Sequence, residues 1–260
     1  LIMISKIKKI ILKKNKSKII CLTSYSKNFA SIVDKYSDII LVGDSLGSVL
    51  YNYNSTRHVT LKNMIDHSKS VRMGVSKSLM VVDMPYKSYS NKSEALKNAK
   101  KIIKYTKCDA VKLEGGRKIK NIVKHLIKNK VSVMGHLGIL PQSMVGKFKS
   151  KGKTEKEKNT LIKDSKMLES LGVFAIVLEC VNSNTAKKIT NSIKIPTIGI
   201  GSSFHCDGQI LVTDDLLGLN ETKIKFVKKF INIRKNIEQG IKKFKFEVIN
   251  NKYPSKKYSY

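Results

Sequence analysis

The sequence predicts an α/β chain folded as a (β/α)8 barrel, and three observations carry that prediction. Short apolar runs alternate, eight times along the chain, with longer stretches that mostly read as helices. The length, 260 residues with no low-complexity break, suits one barrel of the usual size of about 250 residues. The apolar runs also end repeatedly in a charged or polar residue, as strands do on the face where a barrel carries its chemistry. A doubly wound parallel sheet shares this alternation and is the alternative. The expected organisation is a single barrel domain over 1–260, with a basic extension over 1–18 and a polar tail over 250–260.

In chain order, 1–18 is lysine-rich and partly apolar, with Met3 as a candidate start, and reads as a short amphipathic helix capping one end of the fold. The first strand is read over 19–24, followed by Tyr25 and a helix over 28–36. The second strand, 39–42, runs out into Gly43-Asp44-Ser45-Leu46-Gly47, so an acid and a hydroxyl leave the sheet between flexible glycines. A loop over 51–60 leads to a helix over 61–73 with Thr60 as its N-cap. The third strand, 79–82, ends at Asp83 and is stopped by Pro85.

A helix over 90–107, read from Ala95, Leu96, Ala99, Ile102 and Ile103, delivers the chain to the fourth strand, Ala110-Val111-Lys112-Leu113-Glu114, which breaks at Gly115-Gly116. Side chains alternate along a strand, so Ala110, Lys112 and Glu114 share one face and Val111 and Leu113 the other. A helix over 118–128 precedes the fifth strand, 131–134, which ends at Gly135-His136-Leu137-Gly138. A loop of about fifteen residues follows, long enough to suggest function. It carries Pro141-Gln142-Ser143 and Lys151-Gly152-Lys153, and Thr154-Glu155-Lys156-Glu157 has the form of a capping box opening a helix to about 171. The sixth strand, 174–178, ends at Glu179-Cys180, and a helix spans 184–192. The seventh, 196–200, ends at Gly201-Ser202-Ser203. A turn through Cys206-Asp207-Gly208 leads to the eighth, 209–212, and a closing helical region covers 223–245.

Composition narrows the function. At 41% hydrophobic the chain can bury a full core. No apolar run approaches the ~18 residues of a membrane span, and the basic start lacks the apolar segment of a signal peptide. A cytoplasmic location is expected. Cys21, Cys108, Cys180 and Cys206 show no CxxC spacing and read as free thiols. The net charge of +32 rests almost wholly on lysine, with arginine only at positions 57, 72, 117 and 234. Sequence-specific readers of nucleic acid lean on arginine, and these lysines spread over every predicted helix. Nucleic-acid binding is therefore not expected, and we attribute the excess to drift of exposed positions in an AT-rich genome.

On a barrel, the strand ends gather Asp44 and Ser45, Asp83, Lys112 and Glu114, His136, and Glu179 at one mouth. Several facing carboxylates repel without a cation, and a few carboxylate oxygens completed by water and substrate are what Mg²⁺ prefers. A divalent metal is implied. His136 reads equally as a hydrogen-bonding barrel residue or as a direct chemical participant.

Gly43-Asp44-Ser45-Leu46-Gly47, Val82-Asp83-Met84-Pro85, Val111-Lys112-Leu113-Glu114-Gly115-Gly116, Met134-Gly135-His136-Leu137-Gly138 with Pro141-Gln142-Ser143, Gly152-Lys153-Thr154, Leu178-Glu179-Cys180, and Ile195-Pro196-Thr197-Ile198-Gly199-Ile200-Gly201 with Cys206-Asp207-Gly208-Gln209 together resemble the ketopantoate hydroxymethyltransferase family, in order from about 19 to 219. The resemblance implies a barrel of the phosphoenolpyruvate mutase-like group and a cytoplasmic homo-oligomer, typically a decamer. It also implies transfer of a hydroxymethyl group from 5,10-methylenetetrahydrofolate to 3-methyl-2-oxobutanoate, with Mg²⁺, in pantothenate biosynthesis. Carried over by motif position, Asp44, Asp83 and Glu114 are the metal-site acids, Asp44, Ser45, Asp83 and Lys112 hold the 2-oxo acid, and Glu179 is the base that takes the C3 proton. The metal, as a Lewis acid, would stabilise the enolate. The chain departs from the family at Ser24-Tyr25-Ser26, usually Ala-Tyr-Asp, at Gly201-Ser202-Ser203, usually Gly-Ala-Gly, and at Thr213-Asp214, usually His-Asp. A neighbouring alternative is a lyase or mutase of the same barrel group, but those lean on a mobile-loop cysteine that Lys151-Gly152-Lys153 lacks.

Overall fold

The computed structural model describes residues 5–144, 149–221 and 224–260, so Met3, the first two residues and Lys223 lie outside the described part. The chain falls into two compact units, one up to Val212 and one over Thr213–Tyr260.

The first unit is a closed barrel of eight strands: β1 Ile19–Thr23, β2 Ile39–Val42, β3 Leu79–Asp83, β4 Ala110–Glu114, β5 Val133–Gly138, β6 Ala175–Glu179, β7 Thr197–Ile200 and β8 Gly208–Leu211. Each strand pairs in parallel with the next, and β1 closes the ring on β8 with Ile19 opposite Gly208. That closure excludes the doubly wound sheet. The helices of this unit are α1 Lys6–Leu12, α2 Lys27–Val33, α3 Leu46–Tyr51, α4 Leu61–Arg72, α5 Lys92–Thr106, α6 Lys120–Lys128, α7 Glu155–Ser170 and α8 Ser183–Ser192.

The two-residue period of the strands sorts the core into an inner and an outer layer. Outward residues such as Ile40, Val42, Met80, Val82, Val111, Leu113, Ile176 and Leu178 form one buried cluster with Met64, Ala99, Ile102, Leu126 and Ile189 of the helices. Inward residues Ile19, Cys21, Ile39, Leu41, Leu79, Val81, Ala110, Met134, Ala175, Val177, Ile198 and Ile210 fill the barrel. Ile10 of α1 joins this inner cluster, so the amino-terminal segment plugs the end of the barrel where the strands begin. Lys14 holds it there, with Nζ 2.7 Å from Asp207 in a buried ion pair and 2.7 Å from the Thr190 carbonyl.

Several boundaries differ from the sequence reading. α3 occupies a stretch read mostly as glycine-flanked loop, and it ends at Asn52 in the left-handed region (φ 54°). β5 runs to Gly138 rather than stopping at residue 134, because Gly135, His136 and Leu137 pair with Ile176, Val177 and Leu178 of β6. The Thr60 cap is as expected, and Asn63 completes a reciprocal box with it. Thr154 caps α7, but the Glu157 carboxylate turns to the backbone N–H groups of Gly152 and Lys153 instead of closing a box. All four cysteines are free.

The second unit holds a short helix, α9 Thr213–Leu216, and a long one, α10 Ile233–Ile249. α10 begins some ten residues later than the closing region read from the sequence, after Phe230 and Ile233 have tied their N–H groups to the Leu216 and Leu217 carbonyls. The tail beyond Asn250 is less featureless than expected: Tyr253 packs edge-on against Phe244 with ring centroids 5.4 Å apart.

Candidate active site

The inward-facing alternation that fills the barrel with apolar side chains changes chemistry at its last layer. Leu79 and Val81 are followed on the same face of β3 by Asp83, Ala110 on β4 by Lys112 and Glu114, Met134 on β5 by His136, and Ala175 and Val177 on β6 by Glu179. Strand register sets these groups side by side, Asp83 opposite Lys112 and Glu114 opposite His136. Asp44 and Ser45 arrive from the turn after β2, where Gly43 leaves them room: a Cβ there would stand 2.9 Å from Ser45 Oγ and 3.5 Å from Asp83 Oδ2.

The contacts are close and buried. Lys112 Nζ lies 2.8 Å from Asp83 Oδ1 and 3.3 Å from His136 Nδ1. The Asp44 N–H donates to Asp83 Oδ2 at 3.1 Å. His136 bridges two acids, with Nδ1 3.5 Å from Glu114 Oε1 and Nε2 3.2 Å from Glu179 Oε2. Ser45 Oγ pairs with the Tyr25 hydroxyl at 2.8 Å. All seven residues expected at the site therefore meet at one mouth, and Glu179 is the most open of the acids, its side chain 17% exposed against 2% for Glu114.

Burial and crowding decide the protonation chemistry. Burial pushes Asp44 well above the usual carboxylate range, Asp83 and Glu114 push it further, and Lys112 only partly offsets them. Burial also raises Asp83, with Lys112 pulling it back. Burial would raise Glu114 too, but His136, Lys112 and the Gln142 N–H hold it below the ordinary value. Burial opposes the charge on Lys112, yet Asp83, Glu114 and Asp44 prevail and keep it an ammonium. For His136, burial and Lys112 act downward, while the flanking Glu114 and Glu179 carboxylates act upward and win, raising it to about 9. An imidazolium directs Nδ1–H to Glu114, so the Lys112 contact at 3.3 Å is a juxtaposition of like charges held in place by the surrounding acids.

Two atoms remain poorly satisfied. Asp83 Oδ1 and His136 Nε2 are buried and lack a well-directed hydrogen bond despite their close neighbours. Among the described residues no three acid, histidine or cysteine side chains converge into a ready cage for an ion. The donor set nonetheless suits a hard cation: the available atoms are carboxylate oxygens, and acids outnumber cations.

The sequence reading missed two contributors. Gln142, quoted only as part of a motif, is 2% exposed and reaches both Asp44 and Glu114. Tyr89, which received no attention, donates its hydroxyl to Gln142 at 2.6 Å. No local pattern marks either residue, since the partners of Gln142 and Tyr89 are distant in sequence.

Comparison with known proteins identifies the lineage. A profile of the ketopantoate hydroxymethyltransferase family matches residues 2–256. The chain belongs to that family. A 3-methyl-2-oxobutanoate hydroxymethyltransferase of Pelagibacter ubique (strain HTCC1062) is 64% identical over 98% of this chain and 99% of its own length. Enzymes of the same name from Anaplasma marginale (strain St. Maries) and Clostridium botulinum (strain 657 / Type Ba4) are 42% and 45% identical, over 95% and 96% of this chain and 90% and 92% of theirs. Among solved structures, phosphonopyruvate hydrolase in complex with oxalate and Mg²⁺ superposes with a TM-score of 0.63 at 8% identity, covering 98% of this chain and 93% of that one. A 2,3-dimethylmalate lyase of the phosphoenolpyruvate mutase/isocitrate lyase superfamily gives 0.61 at 11%, with the same coverage. These neighbours share the fold. As a ketopantoate hydroxymethyltransferase family member, the chain is a one-carbon transferase of pantothenate biosynthesis. No described helix is long and apolar enough to cross a membrane.

Proposed function

We propose that the mouth of this barrel transfers the one-carbon unit of 5,10-methylenetetrahydrofolate to C3 of 3-methyl-2-oxobutanoate, giving ketopantoate and tetrahydrofolate, and that Mg²⁺ assists. The observation that carries the reading is the last inward layer of the barrel: Asp83, Lys112, Glu114, His136 and Glu179 replace apolar residues on four adjacent strands, with Asp44 and Ser45 beside them. In support, a fold neighbour is described with Mg²⁺ and oxalate, a small dicarboxylate, bound.

Asp44, Asp83 and Glu114 are the residues that would hold the metal, with Lys112 sharing Asp83 through its contact to Oδ1. Bound there, Mg²⁺ would act as a Lewis acid that makes the C3 proton of the 2-oxo acid more acidic. The protein groups do the rest. Lys112 presents a buried ammonium to the substrate's oxygens, where negative charge develops. Ser45, oriented by Tyr25, donates to the same end of the substrate. His136 Nε2 lies 3.2 Å from Oε2 of Glu179 as a charge contact, and the other oxygen is left to take the C3 proton. The methylene carbon must lose both of its C–N bonds: one breaks as the carbanion adds to that carbon, the other as water brings the hydroxyl oxygen to it. The two folate nitrogens leave protonated, one by the proton taken from C3 and one by a proton of that water. A cytoplasmic homo-oligomer, decameric as the family resemblance implies, completes the proposal; nucleic acid has no part in it.

The test is loss of the C3 proton signal by NMR when purified protein meets 3-methyl-2-oxobutanoate in D₂O. Mg²⁺-dependent exchange that falls by about 10²–10⁴-fold in Glu179→Gln supports the reading. Exchange unchanged by that substitution would remove Glu179 from the role of base.

A further inference from the structure

We infer that Gln142 is a positioning residue whose amide and peptide N–H fix the separation of Asp44 and Glu114, two acids that among the described residues no other hydrogen-bonding group joins. This rests on the proposal that those acids serve a divalent metal. The two carboxylates come from different elements, Asp44 from the turn after β2 and Glu114 from the end of β4, and their like charges drive them apart. Gln142 grips both. Its peptide N–H donates to Glu114 Oε2 at 3.0 Å, and its Nε2 donates to Asp44 Oδ2 at 2.8 Å.

The side chain is fully used. The second Nε2 hydrogen goes to the Met84 carbonyl at 3.0 Å, and Oε1 accepts the Tyr89 hydroxyl at 2.6 Å. Only one amide orientation satisfies this set, because exchanging O and N would put an oxygen against both Asp44 and the Met84 carbonyl. Backbone is anchored as well: the Gln142 carbonyl accepts from Arg57 Nε at 2.9 Å, and the Arg57 guanidinium stacks over Tyr86 at 5.1 Å from the ring centroid. A residue that is 2% exposed and hydrogen-bonded at every polar atom holds its neighbours in one geometry. A neutral donor is also what the place requires, since another carboxylate would add repulsion and an ammonium would compete with the metal for Asp44.

Gln142→Met, close in volume and without the donors, is the informative variant. Two readouts are taken on the full chain: Mn²⁺ affinity by electron paramagnetic resonance titration, and the Asp44 side-chain position in a crystal structure. The expected result is a Kd for Mn²⁺ about 10–100-fold weaker, with Asp44 rotated away from Glu114 and the fold unchanged. Tyr89→Phe, which removes only the hydroxyl that orients the amide, should move both readouts in the same direction by less, and it stands in if the methionine variant does not fold. A wild-type Kd and an unmoved Asp44 would overturn the inference. Absence of Mn²⁺ binding in the wild type, or binding unaffected by Asp83→Asn, would overturn the metal reading instead. Asp44's position then decides the positioning role alone.

Discussion

The two ends of the barrel use the same side chains to opposite effect. At the end where the strands begin, every prominent acid is answered. Asp34 accepts from the backbone N–H groups of Ser76, Lys77 and Ser78 and from the Ser76 hydroxyl, Asp207 takes Lys14 and the Thr197 N–H, and Asp109 takes the Met80 N–H. At the end where the strands finish, Asp44 and Asp83 are pushed up by burial and crowding, and Asp83 Oδ1 has no well-aligned donor. A carboxylate in a ring of N–H donors organises backbone and stabilises the fold; carboxylates packed against each other cost stability and hold chemistry ready.

Substitutions that separate stability from activity sharpen the contrast, and the largest effect belongs to Lys112. With its Nζ the nearest positive charge to Asp83, Lys112→Met should cut C3 proton exchange by about 10²–10³-fold. It should also lower the unfolding temperature, because the acids lose their counter-charge. Steady-state kinetics and calorimetry on one preparation check both.

Next comes Asp34→Asn, which turns an amide NH₂ toward backbone N–H groups that now donate to a carboxylate. Loss of about 1–3 kcal/mol of stability is expected, with exchange kinetics unchanged. Its pH dependence has a definite sign. Burial acts upward on Asp34, but the Ser78, Lys77 and Ser76 hydrogen bonds prevail and hold it below the ordinary carboxylate value. The wild-type advantage should therefore be full above the unfolded value of about 3.9 and should close as pH falls through the lower folded value. Urea titrations between neutral and acid pH measure that gap. The smallest effect is expected at an exposed pair on α4, Lys62 with Asp66 at 2.6 Å, where Lys62→Met should leave unfolding unchanged because solvent already screens the contact.

The sequence made the strands legible because a closed parallel barrel needs apolar runs at regular spacing, and β3, β4 and β6 end at the charged residue that closed their run. Asp83, Lys112, Glu114 and Glu179 could be placed for that reason, since a two-residue period states which face each occupies. His136 looked like a residue beyond its strand because Gly135 and Gly138 read as a break, whereas pairing with β6 carries the strand through both. Gly138 is a glycine for a tertiary reason: at φ +100° a Cβ would meet the Glu179 carbonyl oxygen at 2.2 Å. Gln142 stayed hidden because its partners, Asp44, Met84 and Glu114, are distant in sequence, and no local pattern encodes such contacts. α3 was missed because six residues containing a glycine show too little periodicity to read as a helix.

The most direct measurement sets Asp44→Asn beside Asp34→Asn in thermal unfolding without added metal, with C3 exchange followed in parallel. Removing a charge from the crowded end should raise the stability of Asp44→Asn by about 0.5–2 kcal/mol while abolishing exchange, whereas Asp34→Asn should be less stable and fully active. Asp44→Asn destabilised as much as Asp34→Asn would contradict the account, for it would mean that both ends of the barrel are built for stability alike.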